Sequence, residues 1–442
     1  MRVAVVGAGA AGLTAAIRAA EAGATVTLLN AHPRIGLKIL MSGGTRCNVT
    51  HREVCERDFC GGSRPFVARV LRAFTPEQTL AWFESLGVGL RLEETGKYFP
   101  VTDDANTVLE ALLGEAKRAG VTIASGARVV RLERAGGEAS GGPATAPRYR
   151  LGIQTVKSAG VFGSGSVHRP GQERWPLPAA APDRWMEADA VIVATGGLSF
   201  PRTGSDGTGY ALATALGHTM EPPVPALTPL ASRDALSMAA QGITLDVELA
   251  LWVDGKRTEK VRGSMVIAHF GYSGPAALDL SRHWLRAEGR RRRVTASFAP
   301  EETIESFGKA WLDAVDNAPG RTVRRHLAHW LPGRLGERLA EEAGVDPGTA
   351  VGQVPRERRT ALFERVFARD LGVAGTLGYE KAEVTAGGVR LSEVNPSTLE
   401  SRVSPGLYLC GEILDVDGRL GGFNFQWSWS SGTVAGRAAA AK

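Results

Sequence analysis

The first thirty residues constrain everything that follows. Arg2-Val-Ala-Val-Val6 is a short apolar, β-rich run that leads straight into Gly7-Ala-Gly9-Ala10-Ala11-Gly12. An Ala-rich helical pattern continues to Ala22, and Thr25-Val-Thr-Leu-Leu29 reads as a second strand. Strand, glycine turn, helix and strand form the context in which GxGxxG is a dinucleotide fingerprint rather than a plain turn. Gly7 allows the tight turn, Gly9 lets the backbone of Ala10 and Ala11 approach a pyrophosphate, and Gly12 lets the helix pack on the sheet. The helix start offers unpaired N–H groups and a positive dipole end to the phosphates. One position departs from the pattern. The residue ending the second strand is ordinarily an acid that grips the ribose hydroxyls. Here it is Asn30, an amide that can accept a hydrogen bond but brings no charge.

The chain has 442 residues, enough for two or three domains, with 43% hydrophobic and 22% charged residues. No window approaches the roughly 18 uninterrupted apolar residues of a membrane span. The fingerprint glycines argue against reading the apolar start as an export signal. Cys47, Cys55, Cys60 and Cys410 form no CxxC and join no His cluster, so no metal site is expected. So few thiols in so long a chain suit a reducing cytoplasm. The net charge of +6 is local: Lys256–Arg365 holds 20 Lys and Arg against 14 Asp and Glu. That excess either attracts a polyanion such as RNA or is a solvated arginine surface.

The segment from His32 to Thr50 is too rich in glycine and polar residues for a core element. It carries Lys38, Ser42-Gly43-Gly44, Arg46, Cys47 and Asn48, and its Ser-Gly-Gly turn can form a backbone nest for an anion. Val121 to Glu133 is strand-like, with Val129 placed to pass the adenine end of a cofactor. Glu138–Arg184 is turn-rich, holds one strand-like run from Tyr149 to Val156, and is expected to be a flexible surface excursion. Ala188 onward is a buried strand ending in Thr195-Gly196-Gly197, a recurrent cofactor-contact turn. Strand patterns at Ile243–Val253, Met265–Ala268 and Val294–Phe298, with a hairpin signal at Asp254-Gly255, are followed by helical patterns at Glu301–Asp316, Arg321–Leu331 and Arg356–Leu371. The last segment returns to glycine-rich motifs: Gly388, then Gly411-Glu412 after a strand, Asp417, and Gly422-Phe423-Asn424-Phe425-Gln426 opening a final helix. Such a helix start can face the electron-rich N1/O2 edge of a flavin.

These motifs resemble those of the BaiN/RdsA flavoproteins, the HI0933-like or YhiN-like family. The specific runs are Gly36-Leu-Lys38 with Ser42-Gly-Gly-Thr-Arg46-Cys47-Asn48-Val-Thr50, Ala194-Thr-Gly-Gly-Leu-Ser-Phe-Pro201-Arg-Thr-Gly-Ser205-Asp206-Gly207, His269-Phe-Gly-Tyr-Ser-Gly-Pro275, Val384-Thr-Ala-Gly-Gly-Val389, and Cys410-Gly-Glu through Gln426. Thr45 stands where a third glycine is common. The resemblance implies an α/β fold: a glutathione-reductase-like, Rossmann-type FAD-binding domain split in sequence, with an inserted β-barrel and helical domain. The expected division is 1–202 with 382–442 for the cofactor domain, and 203–381 for the insertion, whose helical part covers about 300–371. The resemblance also implies FAD and reduction of an activated C=C bond, in a steroid-like enone or in uracil of ribosomal RNA. Amine oxidation is described for other members.

Reducing a conjugated C=C needs hydride at the β-carbon, a proton at the α-carbon and a polarised carbonyl. Cys47 and His269 are the candidate proton donors, and Arg46 and Lys38 the candidate cations for phosphate or for a developing enolate. Tyr272 is more simply packing, Cys410 core, and His326 and His329 structural. Trp284 and Trp330, near Arg286, Arg290–Arg293, Arg324 and Arg325, could stack bases if RNA binds. No second GxGxxG follows a strand, so NAD(P)H is expected as a transient donor at the flavin. The readings in order are a small-molecule enone reductase, a ribosomal RNA dihydrouridine synthase and an amine oxidase.

Overall fold

A computed structural model describes residues 1–135, 148–157 and 181–441. Much of the excursion expected at 138–184 lies outside the described residues. The chain divides into two units, Met1–Pro225 with Glu383–Lys442, and Ala226–Ala382.

The first unit is built on a five-stranded parallel sheet. Its order is Leu407–Leu409, Ala190–Val193, Arg2–Val6, Thr25–Asn30 and Thr122–Ser125. The opening strand is central and buried from Val3 to Val6, which is why it reads as a continuous apolar run and not an alternating one. Helix Ala10–Glu21 follows it. The C-terminal helix Phe423–Ala440 lies along that helix at glycine contacts. A Cβ at Gly432 would stand 2.5 Å from Ala11 O, and one at Gly436 would collide with Ala15 O. Any side chain there would push the two helices apart. An antiparallel sheet of Ala127–Arg134, Tyr149–Thr155 and Arg184–Ala188 is inserted in sequence between the parallel strands Thr122–Ser125 and Ala190–Val193.

The second unit carries a seven-stranded antiparallel sheet. Its two edge strands, Arg369–Asp370 and Val373–Thr376, are separated in sequence by only Leu371 and Gly372. The sheet therefore curls until its edges come together, the geometry of a barrel. Asp254 and Gly255 both have positive φ, 49° and 80°, and join Val253 to its partner Lys256 in a two-residue hairpin. Helices Ile304–Asn317, Val323–Leu327, Gly333–Glu342 and Arg356–Phe367 make the helical part, around Phe307, Trp311 and Leu339.

Candidate functional site

The carboxyl ends of the parallel strands, where an α/β sheet takes its ligand, carry most of the sequence motifs. Gly7 has φ +104°, and a Cβ there would lie 2.5 Å from Ala194 O. A Cβ on Gly12 would overlap the carbonyl of Gly7. Gly9 faces open space, with nothing within 4 Å of where its Cβ would be. The helix it starts has no side-chain cap and no acid in its first turn, so its own sequence does not neutralise the first N–H groups, at Ala10 and Ala11. The C-terminal helix starts the same way: Gly422 is left-handed, caps nothing with a side chain, and no acid follows in the first turn.

The two helices run parallel, Ala11 beside Gly432 and Ala15 beside Gly436. The C-terminal helix therefore starts beyond the opening one by about 12 Å at 1.5 Å per residue. Gly411 sits against both: a Cβ on it would be 2.7 Å from Ala11 Cβ, and its carbonyl accepts Trp427 Nε1 at 3.1 Å. Two bare helix starts, offset by roughly the length of a ribityl arm, suit a pyrophosphate at one and a flavin edge at the other. The residues present fit FAD on this ground.

Asn30 does not wait for a ribose. Its Oδ1 accepts the Ala8 N–H at 3.2 Å, and its Nδ2 donates to His32 O at 2.6 Å and Arg34 O at 3.2 Å. The amide ties the glycine turn to the next loop and needs both a donor and an acceptor to do so. Val129 is buried in Ala127–Arg134 beside a register shift, opposite Ile153. Its neighbour Arg128 reaches Asp206 Oδ2 at 2.7 Å and Thr208 Oγ1 at 2.9 Å, a pair that the sequence motifs did not single out.

The segment read as a loop from His32 to Thr50 contains a helix, Leu37–Thr45, broken at Ser42. Gly43, Gly44 and Thr45 are all left-handed, then Arg46 is right-handed and Cys47 left-handed again at φ 63°. The glycines dominated the reading, yet Leu37–Met41 alone makes the helical turn. Arg46 stacks 4.0 Å over Phe99 and donates to Glu93 at 2.7 Å, which raises its pKa further. Asn48 accepts the Gly422 N–H and donates to Thr50 O, both at 3.0 Å. Cys47 requires a correction as a proton donor. Its side chain has 0% exposure, and burial pushes its thiol up to about 12. A thiol with no surface touches no substrate, so Cys47 holds the loop instead.

Lys38 Nζ donates to Ser199 Oγ at 2.7 Å and to Glu412 Oε2 at 2.9 Å. Glu412 Oε1 accepts Ser199 Oγ at 2.9 Å and the Thr385 N–H at 3.0 Å. Thr385 Oγ1 in turn accepts the N–H groups of Leu198 and Ser199 at 2.8 and 3.1 Å. Gly197 has no Cβ because Thr385 Oγ1 occupies that space, and Gly209 none because Thr195 Oγ1 does. Gly196 and Gly388 take φ +73° and +136°. This network joins four motifs from across the sequence. Ser199 and Thr385 were within quoted runs but were not singled out. The signal was there: a hydroxyl beside each glycine pair.

At the C-terminal motif the side chains serve the protein itself. Gln426 is fully buried, accepts Thr50 Oγ1 and Thr79 Oγ1 at 2.7 and 3.0 Å, and donates to Phe74 O and Ser430 Oγ at 3.0 and 3.1 Å. All four of its hydrogen-bonding sites are filled, so its side chain is corrected from cofactor ligand to core link. Asn424 pins both backbone groups of Gly418, at 2.8 and 2.9 Å. Phe423 stacks on His51 at 4.7 Å and Phe425 on Trp429 at 5.5 Å. Asp417 is buried in a short strand paired with Cys60.

In the second unit, His269 is exposed on the turn between Lys256–Ala268 and Gly271–Ser273, edge-on to Phe270. Tyr272 is buried and donates to Asp234 at 3.2 Å; burial first, then that carboxylate, raises its pKa. Of the two tryptophans offered for base stacking, one is buried and the other half-buried. Trp284 is buried beneath Arg292, and Trp330 packs on Phe307 at 4.6 Å while donating to Glu302. Tryptophan in such helices is ordinarily core, and Trp284 joins the core cluster while Trp330 packs half-buried against it. Arg290 pairs with Asp254 at 2.8 Å and Arg293 lies over Trp252 at 5.2 Å. Among the described residues no group of side chains could hold a metal, and no helix is long and apolar enough to cross a membrane.

The sequence matches the model of the HI0933-like protein Rossmann domain over residues 1–143 and 172–438. It is 34% identical, over 99% of both chains, to the 3-dehydro-bile acid delta(4,6)-reductase of Clostridium scindens. It is 30% identical to the ribosomal RNA dihydrouridine synthases of Haemophilus influenzae and Escherichia coli, in each case over 97% of this chain and 95% of the relative. With a split Rossmann-type fold and motifs matched along nearly the whole length, the chain belongs to the HI0933-like family of oxidoreductases.

Proposed function

We propose that this chain is an FAD-dependent reductase of a carbon–carbon double bond conjugated to a carbonyl, acting on a small cyclic enone. One observation carries the reading. The relatives' named activities differ in substrate but share this chemistry, since a 3-dehydro bile acid with delta(4,6) unsaturation and the uracil ring both place C=C beside C=O. The FAD, when bound, supplies the hydride equivalent. The chain's residues do the rest. Gly7–Gly12 and the bare start of Ala10–Glu21 hold the pyrophosphate, and the backbone at Val129 takes the adenine. The backbone turns at Gly43–Gly44, Thr195–Gly197, Gly388, Gly411 and Gly422 border the flavin ring, and of these glycines Gly44 alone faces open space where a Cβ would be. Arg46, held by Glu93 and Phe99, polarises the substrate carbonyl. The proton for the α-carbon is assigned to His269 on the chemistry of an exposed imidazole alone. NAD(P)H reduces the flavin by transient docking. So few cysteines in so long a chain suit a reducing cytoplasm.

The test is to load the protein with FAD, bleach it anaerobically, and add a 3-keto-4-ene steroid, a ribosomal RNA transcript or oxygen. Yellow colour should return fastest with the enone. Return with oxygen alone would overturn the reading. The arginine excess of the insertion favours RNA as the second reading. Salt-dependent retention of the transcript, with colour returning on its addition, would select it.

A further inference from the structure

We propose that Lys38 is the fixed cation that sets the reduction potential of the bound flavin, with Glu412 and Ser199 as positioning residues that hold and attenuate it. This rests on the FAD reading above. The cluster stands at the carboxyl edge of the parallel sheet, on the segments that follow three strands: Thr25–Asn30, Ala190–Val193 and Leu407–Leu409. Glu412 adjoins Gly411, the residue wedged between the first turn of the opening helix and Trp427 near the start of the C-terminal one. The pair is thus placed between the two bare helix starts that suit the pyrophosphate and the flavin edge.

An ammonium has three protons. Two of those on Lys38 go to Ser199 and Glu412. Its side chain keeps 23% of its surface, and that of Glu412 17%, so the pair is neither sealed in the core nor free in water. Ser199 accepts from Lys38 and donates to Glu412, so the hydroxyl fixes the lysine at one end and turns the carboxylate at the other. Thr385 N–H completes the carboxylate's shell. Such a pair has fixed charges at fixed distances, which is the requirement for electrostatic tuning without reorganisation.

The direction of the effect follows from charge. Two-electron reduction of a flavin with uptake of one proton adds one negative charge to the ring. A nearby ammonium favours that product, and a nearby carboxylate opposes it. The carboxylate offsets only part of the ammonium's effect, so removing either partner unbalances the site, and the two removals act in opposite directions. Lys38→Met leaves the carboxylate and lowers the potential. Glu412→Gln leaves the ammonium and raises it. A pair that only holds the loops together would instead shift the potential the same way, or not at all, whichever partner is lost.

The experiment measures the midpoint potential of the FAD-loaded full chain against a redox dye, for wild type, Lys38→Met, Lys38→Arg and Glu412→Gln. FAD content and far-UV circular dichroism are recorded on each sample. The expected shifts are roughly tenfold in the reduced-to-oxidised ratio, which is about 30 mV for a two-electron couple. They should be upward for Glu412→Gln and downward for Lys38→Met, with Lys38→Arg staying within threefold of wild type. Shifts of one sign, or none, overturn the proposal. If Lys38→Met fails to hold FAD, Glu412→Gln still decides, because a potential at or below wild type refutes it. A wild-type chain that takes up no FAD sinks both the cofactor reading and this one. Potentials measured on a chain that does bind can sink only this one.

Discussion

At the scale of single residues, the site is defined by positions where an ordinary side chain sits in an unusual place. Thr45 is β-branched and exposed, yet its φ is 70°. That conformation costs about 1–2 kcal/mol for such a residue. Thr45→Gly should therefore stabilise the protein, by about 1 kcal/mol after the added entropy of the unfolded glycine, read as a higher urea midpoint. No gain would mean that the Thr45 hydroxyl, which donates to Gly44 O at 2.6 Å, offsets the strain. Asn30 makes the opposite case. The fingerprint pattern asks for an acid, but here the side chain must donate to two carbonyls as well as accept from Ala8. Asn30→Asp would set a carboxylate against His32 O and Arg34 O, with an expected loss of about 1–3 kcal/mol. Urea unfolding together with FAD titration checks this. Unchanged stability with tighter FAD would show that the acid belongs there after all. The sequence showed that residue 30 was abnormal, but not why, because its partners are backbone atoms of a turn whose shape no side-chain pattern encodes.

At the scale of elements, local signals were legible and long-range ones were not. The fingerprint and the Asp254-Gly255 hairpin are both written within a few residues. Strand Arg184–Ala188 was missed because it is largely exposed and has no apolar alternation; it exists by pairing with Tyr149–Thr155. Gln426 was misread for the same reason, since Thr50 and Thr79 come to it from far away in sequence. His326 gives the element-scale prediction. It lies in Val323–Leu327 among Phe307, Trp311 and Trp330, and its Nε2 has no hydrogen-bond partner among the described residues. Burial, then the charges of Arg321 and His329, lowers its pKa to about 4. The folded state holds His326 neutral while the unfolded chain protonates near pH 6.5. Its contribution is therefore intact above pH 6.5 and declines as the pH falls towards 4, by about 3 kcal/mol in all. His326→Phe should flatten that acid limb when unfolding is followed by tryptophan fluorescence between pH 7 and 4. An unchanged limb would assign the loss to other groups.

At the scale of the whole molecule, the chain leaves one unit and returns to it through a single antiparallel pair. Met220–Ala226 pairs with Val384–Val389, and Arg390 N–H donates to Thr219 O at 3.2 Å. With the start of the first strand beside the end of the second, the end of the first, near Pro225, lies beside the start of the second, near Glu383. The two crossing points are thus neighbours, and the first unit closes on itself without the residues between them. Its sheet, both bare helix starts and the Lys38–Glu412 cluster all come from Met1–Pro225 and Glu383–Lys442. Replacing Ala226–Ala382 with a short Gly/Ser linker should then leave a folded chain that still takes up FAD. Bleached, it should be reoxidised by oxygen but no longer faster by an enone, because His269 and the sheet that carries it are gone. A linker chain that unfolds, or that folds without binding FAD, would show that the insertion supports the cofactor site itself. Retained preference for the enone would place selectivity, and the proton donor, in the first unit.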